Sequence, residues 1–105
     1  MSTIGAKTGA RRTAPVSYIR DGDRYVIVAS RGGAPTNPAW YQNLLARPRA
    51  VVELGTERFE ARSEIMEGEE RDRLFAKIAA QLPVFAEYQR RTTRRIPVAA
   101  LERTD

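Results

Sequence analysis

The sequence predicts one α+β domain in which a small, partly open antiparallel barrel is capped by short helices. Two hairpin signals and one helical stripe predict it. Asp21-Gly22-Asp23 separates two β-rich runs at residues 16–20 and 25–30, and Gly55-Thr56 separates residues 51–54 from 58–65. Turns of this chemistry join strands that pair antiparallel. Leu74, Phe75, Ile78, Ala79 and Leu82 recur at spacings of three and four, the stripe of a helix laid on a sheet. With 105 residues the chain can bury one core and not two, so residues 1–105 are read as a single domain.

The first residues carry no apolar periodicity and read as loose. Pro15 suits the start of the first strand, where its missing N–H breaks no ladder. The Gly and Pro content of Arg31-Gly32-Gly33-Ala34-Pro35-Thr36 marks a loop. Asn37-Pro38 then reads as a helix N-cap and first turn, opening a helix over residues 38–46 that puts Trp40 and Leu44 on one face and stops at Pro48. In the second hairpin Phe59, Ala61, Ser63 and Ile65 alternate onto one face. A helix from Glu69 runs to Pro83, a shorter one holding Phe85 and Tyr88 ends in Arg90-Arg91-Thr92-Thr93-Arg94-Arg95, and a last strand spans residues 96–101. The expected order is β-β-α-β-β-α-α-β.

Composition narrows the chemistry. The chain has no cysteine and no histidine, which removes thiolate and imidazole metal sites, dithiol redox chemistry and Ser-His or Cys-His nucleophiles. No metal site is expected. A bound organic cofactor is the natural source of any catalysis. Lys and Arg outnumber Asp and Glu by 18 to 13, a net charge of +5 that favours phosphate- or carboxylate-bearing partners, anionic lipid surfaces among them. No run approaches the length of a membrane span and the N-terminus has no secretory signal pattern, so a cytoplasmic location is the default.

Two segments concentrate ligand-binding chemistry. Gly5-Ala6-Lys7-Thr8-Gly9 with Arg11-Arg12 offers backbone amides, a hydroxyl and cations for an anion, although a solvated basic terminus is the commoner meaning of such a run. Ser30-Arg31-Gly32-Gly33 leading into Asn37-Pro38-Ala39-Trp40-Tyr41-Gln42-Asn43 joins a strand end, a glycine pair and a helix N-terminus, where Arg31 could close over an anion. A packed loop anchored by Trp40 explains the same residues. The arginines at 90–95 suit either a nucleic-acid contact or, more commonly, a solvated helix end.

Taken together, these two segments resemble the deazaflavin-dependent nitroreductase family, as do Arg20-Asp21-Gly22, Ala46-Arg47-Pro48 and Arg95-Ile96-Pro97-Val98, in order and spacing along nearly the whole chain. The resemblance implies an FMN-binding split-barrel-like fold that binds reduced coenzyme F-420, a deazaflavin with a phosphate and an oligoglutamate tail. The coenzyme's hydride would pass to an electron-poor small molecule such as an activated alkene, a quinone or a nitro compound. It further implies that Lys7, Thr8 and Arg12 meet the anionic tail, that Ser30, Arg31, Trp40, Tyr41 and Asn43 hold the phosphate and linker, and that Pro15, Val16 and Ser17 lie along the ring. Phe85 and Tyr88 would border the substrate, with Tyr88 or Ser30 as proton donor.

Three departures refine this. Ser17, Leu82 and Phe85 stand where the nitroreducing type has tyrosines, which argues against nitro compounds as preferred acceptors. Arg31 replaces a more usual lysine. The family's strand before the Gly5 turn has no counterpart in the sequence pattern, so an open barrel edge is expected, which either a second copy covers in a homodimer or a late start of the sequence explains. FMN in place of F-420, a non-catalytic F-420 carrier and a nucleic-acid-binding module are the alternatives, the last disfavoured.

Overall fold

The computed structural model describes residues 1–104, and Asp105 lies outside the described residues. Seven strands form one antiparallel sheet: β1 Ser2–Ile4, β2 Arg11–Thr13, β3 Ile19–Asp21, β4 Arg24–Val28, β5 Arg49–Leu54, β6 Glu57–Ile65 and β7 Val98–Arg103. Their order is β2-β1-β5-β6-β7-β4-β3. The end strands β2 and β3 do not pair with each other, so the antiparallel sheet expected is present and is not closed. Three helices follow the expected plan: α1 Ala39–Ala46, α2 Gly68–Gln81 and α3 Val84–Arg90.

Both hairpins form where the turns predict them. In the first, Asp21 pairs with Arg24 across Gly22 and Asp23, and Gly22 takes the left-handed conformation (φ +60°) that such a turn needs. Strand β3 begins only at Ile19, however. Val16, Ser17 and Tyr18 peel away from the sheet edge instead of continuing it. In the second hairpin Phe59, Ala61 and Ser63 are buried and Ile65 is half-buried, as alternation requires.

Strand β4 lies between β3 and β7, and its side chains alternate between two hydrophobic clusters, where the sequence reading expected one core. Tyr25 and Ile27 join Val52, Phe59, Ala61 and Leu101 on the face covered by Trp40 and Leu44 of α1. Val26 and Val28 join Leu74 and Ile78 of α2, Phe85 of α3, and Ile96 on the opposite face. Each fully buried side chain of this size contributes about 1.5–3 kcal/mol. Helix α1 stops because Pro48 forces Arg47 out of the helical region (φ −138°, ψ 102°).

The N-terminal segment corrects the sequence reading. Ser2–Ile4 is a strand that precedes the Gly5 turn and pairs with both β2 and β5, so the open edge expected there is occupied. Its polar residues gave no strand pattern because they are buried by mutual hydrogen bonding: the Ser2 and Thr13 hydroxyls bond at 2.8 Å, and Asn43 Nδ2 donates to Thr3 Oγ1 at 3.0 Å. The last strand is shifted toward Arg103, because Ile96 packs against α2 and its carbonyl takes two bonds from Arg71.

Asp21 ties the first hairpin to α2. Its carboxylate accepts from Arg24 at 2.8 Å, Arg73 at 3.1 Å and Lys77 at 2.9 Å, and these cations hold it well below the usual carboxylate range. An unfolded chain therefore binds this proton first on acidification, so the cluster's contribution is complete above about pH 5 and fades as the pH falls below the ordinary aspartate value near 4. Asp21→Asn is expected to flatten the acid limb of a stability-versus-pH profile from urea titrations. An acid limb identical to that of the parent would remove this role.

Candidate functional site

A groove runs along the edge of the sheet beneath α1 and α3. One end, of about 650 Å3, is lined by Lys7, Thr8, Arg12, Arg31, Pro38, Trp40 and Asn43 among others. The other, of about 410 Å3, is lined by Pro15, Val16, Ser17, Ser30, Arg31, Trp40, Phe85 and Tyr88 among others. Ala14, Arg31, Pro38 and Trp40 belong to both, so the two ends are continuous. One end is cationic and the other is walled by proline, valine and aromatic side chains.

The cationic end is built by α1. Asn43 is buried, and its Oδ1 accepts from the Ala6 N–H at 2.9 Å, while Arg47 Nη1 donates to the Gly5 carbonyl at 3.2 Å. The turn closes on itself through Gly5 N–H to the Ala10 carbonyl and Gly9 N–H to the Gly5 carbonyl. Among the described residues, Lys7, Arg12 and Arg31 have no carboxylate partner, whereas Arg24 and Arg73 each have two and Arg90 and Arg95 one. Three cations without a carboxylate partner thus line this end of the groove.

At the junction the backbone turns through left-handed conformations at Arg31 (φ +46°), Gly32 (φ +64°) and Gly33 (φ +84°). A left-handed arginine costs about 1 kcal/mol, an expense typical of functional loops. Its guanidinium is exposed and donates to Thr36 Oγ1. Gly33 is required by close approach, since a Cβ there would sit 2.8 Å from the Tyr88 carbonyl and 2.9 Å from Arg91 Cβ. Asn37 does not cap α1. Pro38 holds the cap position, and Asn37 Oδ1 instead accepts from Arg94 Nη1 at 2.6 Å.

At the apolar end Phe85 and Tyr88 meet edge to face with ring centroids 5.8 Å apart. The 14–18 segment that leaves the sheet edge forms the opposite wall through Pro15, Val16 and Ser17. Within the described residues the Ser30 and Tyr88 hydroxyls make no hydrogen bond, although the Ser30 carbonyl takes two.

The structure brings together most residues that the sequence singled out, with two exceptions in role. Tyr41 lies in a separate cleft with Ile65, Met66 and Arg95, because one helical step of about 100° turns it away from Trp40. Asn43 spends its side chain on Thr3 and Ala6, so it shapes the turn from behind. Arg94 is the residue the sequence reading missed: its bonds to the 29–37 loop span about sixty positions and leave no local signal. The remaining arginines of that run are engaged by Glu87, Asp72 and the Tyr88 ring, not arrayed as a free basic surface.

A long groove with unpaired cations at one end and apolar walls at the other defines a binder of a planar organic group with an anionic tail. Comparison with known proteins names the class. The chain matches the F-420H(2)-dependent quinone reductase family over residues 1–103 and belongs to it. It is 41% identical to an F-420H(2)-dependent quinone reductase of Mycobacterium tuberculosis, over 98% of this chain and 71% of that one. Among solved structures, an F-420-H2 dependent reductase superimposes with a TM-score of 0.86 at 37% identity, covering 96% of this chain and 90% of that chain. A domain-swapped dimer matches with the same score and identity, covering 76% of its chain.

The chain is therefore an oxidoreductase whose cofactor is coenzyme F-420 and which passes hydride to an electron-poor acceptor. The resemblance to deazaflavin-dependent reductases holds, the family matched being that of the quinone reductases, and FMN gives way to F-420. The residues present suit that cofactor: cations without a carboxylate partner would suit an anionic tail and phosphate, and apolar walls would suit a ring. No helix of the structure is long and apolar enough to cross a membrane, and the described residues hold no cluster of metal-binding side chains.

Proposed function

We propose that this chain reduces a quinone in the groove, with Lys7 and Arg12 on the cofactor tail, Ser30 and Arg31 at its phosphate, and Pro15, Val16 and Ser17 along its ring. Phe85 and Tyr88 wall the acceptor side. When bound, reduced F-420 supplies a hydride, and forming the quinol requires one proton besides. The chain's part is to orient both partners, keep water from the reacting face and deliver that proton. The Tyr88 and Ser30 hydroxyls, unengaged within the protein and lining the apolar end, are the donors this reading selects. The curled open sheet serves here as one side of a split barrel, and nitro compounds are expected to be poor acceptors.

The observation that carries this reading is the continuity of the groove from the unpaired cations to the aromatic wall, with Arg31 and Trp40 at the junction. Trp40 is the sole tryptophan. Titration with F-420, FMN and NADPH is expected to quench its fluorescence saturably with F-420 alone. A folded protein that fails to bind F-420 by this signal and by calorimetry would refute the assignment.

The tail contact has its own test. Lys7→Ala with Arg12→Ala is expected to weaken binding of F-420 about 10- to 100-fold, as loss of two charge-assisted contacts would, and binding of a tail-less deazaflavin little. Equal losses for both ligands would move these cations away from the tail. We also infer a homodimer, supported by the domain-swapped neighbour. Attraction to anionic membrane surfaces follows from the net charge of +5. Sedimentation of the chain alone and with anionic vesicles separates the two.

A further inference from the structure

We propose that Arg94 is the positioning residue of the cofactor loop: its guanidinium fixes residues 29–37 in the form that presents Ser30 and Arg31 to the groove. The claim rests on the reading above that this groove holds F-420.

The guanidinium is spent almost entirely on one loop. Nε donates to the Ala34 carbonyl at 2.9 Å, Nη1 to the Ala29 carbonyl at 3.1 Å and to Asn37 Oδ1 at 2.6 Å, and Nη2 to the Ser30 carbonyl at 2.8 Å. Those four acceptors bracket Arg31, Gly32 and Gly33, the three consecutive left-handed residues. A single planar fork therefore clamps both ends of a backbone turn that would otherwise relax.

The clamp is itself braced. The Arg94 carbonyl accepts from Gln89 Nε2 at 2.8 Å, and Gln89 Oε1 accepts from Arg71 Nη2 at 3.0 Å and from the Ile96 N–H at 3.1 Å. Arg71 is a buried residue of α2. Rigid helices thus hold the loop through a chain of fully engaged polar groups, which is how a binding site on a loop gains precision.

Arg94 also has an electrostatic effect. It has no carboxylate partner among the described residues, and burial together with the Arg31 charge lowers its tendency to stay protonated. Two cations at the junction repel one another until an anion arrives. A phosphate at Arg31 relieves that repulsion, so Arg94 strengthens anion binding from behind without touching the ligand.

The test compares the full chain with Arg94→Lys, which keeps the charge but not the fork, and Arg94→Met, which keeps neither. Amide hydrogen exchange at Gly33 and Ala34, whose N–H groups bond the Ser30 and Arg31 carbonyls, is expected to accelerate about tenfold or more in both, as loss of buried hydrogen bonds would allow. F-420 titrated against Trp40 fluorescence at low salt should bind about tenfold more weakly to Arg94→Lys and about 100-fold more weakly to Arg94→Met. At high salt the gap between the variants should shrink, a response that mere loosening of the loop would not produce.

Unchanged exchange at Gly33 and Ala34 in Arg94→Met overturns the proposal whether or not F-420 binds. So does wild-type affinity in a variant whose loop has loosened. Should Arg94→Met fail to fold, the same exchange and binding comparisons on Arg94→Lys decide. If the parent chain itself fails to bind F-420, the cofactor reading falls, while the exchange data still decide what Arg94 does to the loop.

Discussion

Gly33→Ala is expected to lose about 2–3 kcal/mol of stability in urea titrations, the combined cost of a left-handed alanine and of overpacking. It should also lose most of its F-420 binding. The added methyl would meet the Tyr88 carbonyl and Arg91 Cβ, both closer than 3 Å, so either α3 or the loop must move. Both carry groove residues, Tyr88 on one and Arg31 on the other. Gly32→Ala is the control, because Gly32 shares the left-handed conformation but has open space around it. It should cost only about 1 kcal/mol. Equal effects at the two positions would mean that close approach to α3 plays no part.

Phe59→Ala is expected to cost about 3–5 kcal/mol, the usual range for deleting a buried aromatic side chain. For a domain of this size that is a large share of the whole. Phe59 is 2% exposed, its ring centroid lies 5.3 Å from that of Tyr25, and Arg103 covers its other side at 4.8 Å. It packs in the cluster covered by Trp40 and Leu44 of α1, and Asn43 of α1 in turn holds the Gly5 turn. The loss should therefore appear in thermal unfolding and in weaker binding by the folded fraction. A variant melting within a few degrees of the parent would show that the cluster has another support.

The two hairpins, the α2 stripe and the Trp40–Leu44 face were legible because each rests on local periodicity or turn chemistry. Strands β1 and β2 were not. Strand β1 is held by hydroxyl and amide side chains whose partners lie on α1 or across the hairpin, and burial of satisfied polar groups leaves no apolar pattern to read, while β2 is exposed throughout and has none to show. The residues that line the groove could be named from loop composition at the Gly5 turn and the 30–43 segment, and from family resemblance at Pro15, Val16, Ser17, Phe85 and Tyr88. Their differing roles could not, since Asn43 and Tyr41 differ only in which way a helix turns. Arg94 looked like one more surface cation until the loop it clamps was seen.

Strand β1 meets β5 through a single register pair, Ser2 with Val51, while β5 and β6 share six. The hairpin that carries Lys7 and Arg12 is thus a lightly attached unit, secured mainly by Asn43 and Arg47. Such a unit opens locally at a lower free energy than the sheet it borders. Every opening carries the two cations away together, so a ligand held by them acts as a latch on the hairpin. With the cofactor tail on these cations as proposed, its release is expected to follow the breathing of the hairpin, so that residence time reflects how firmly this corner of the protein is fastened.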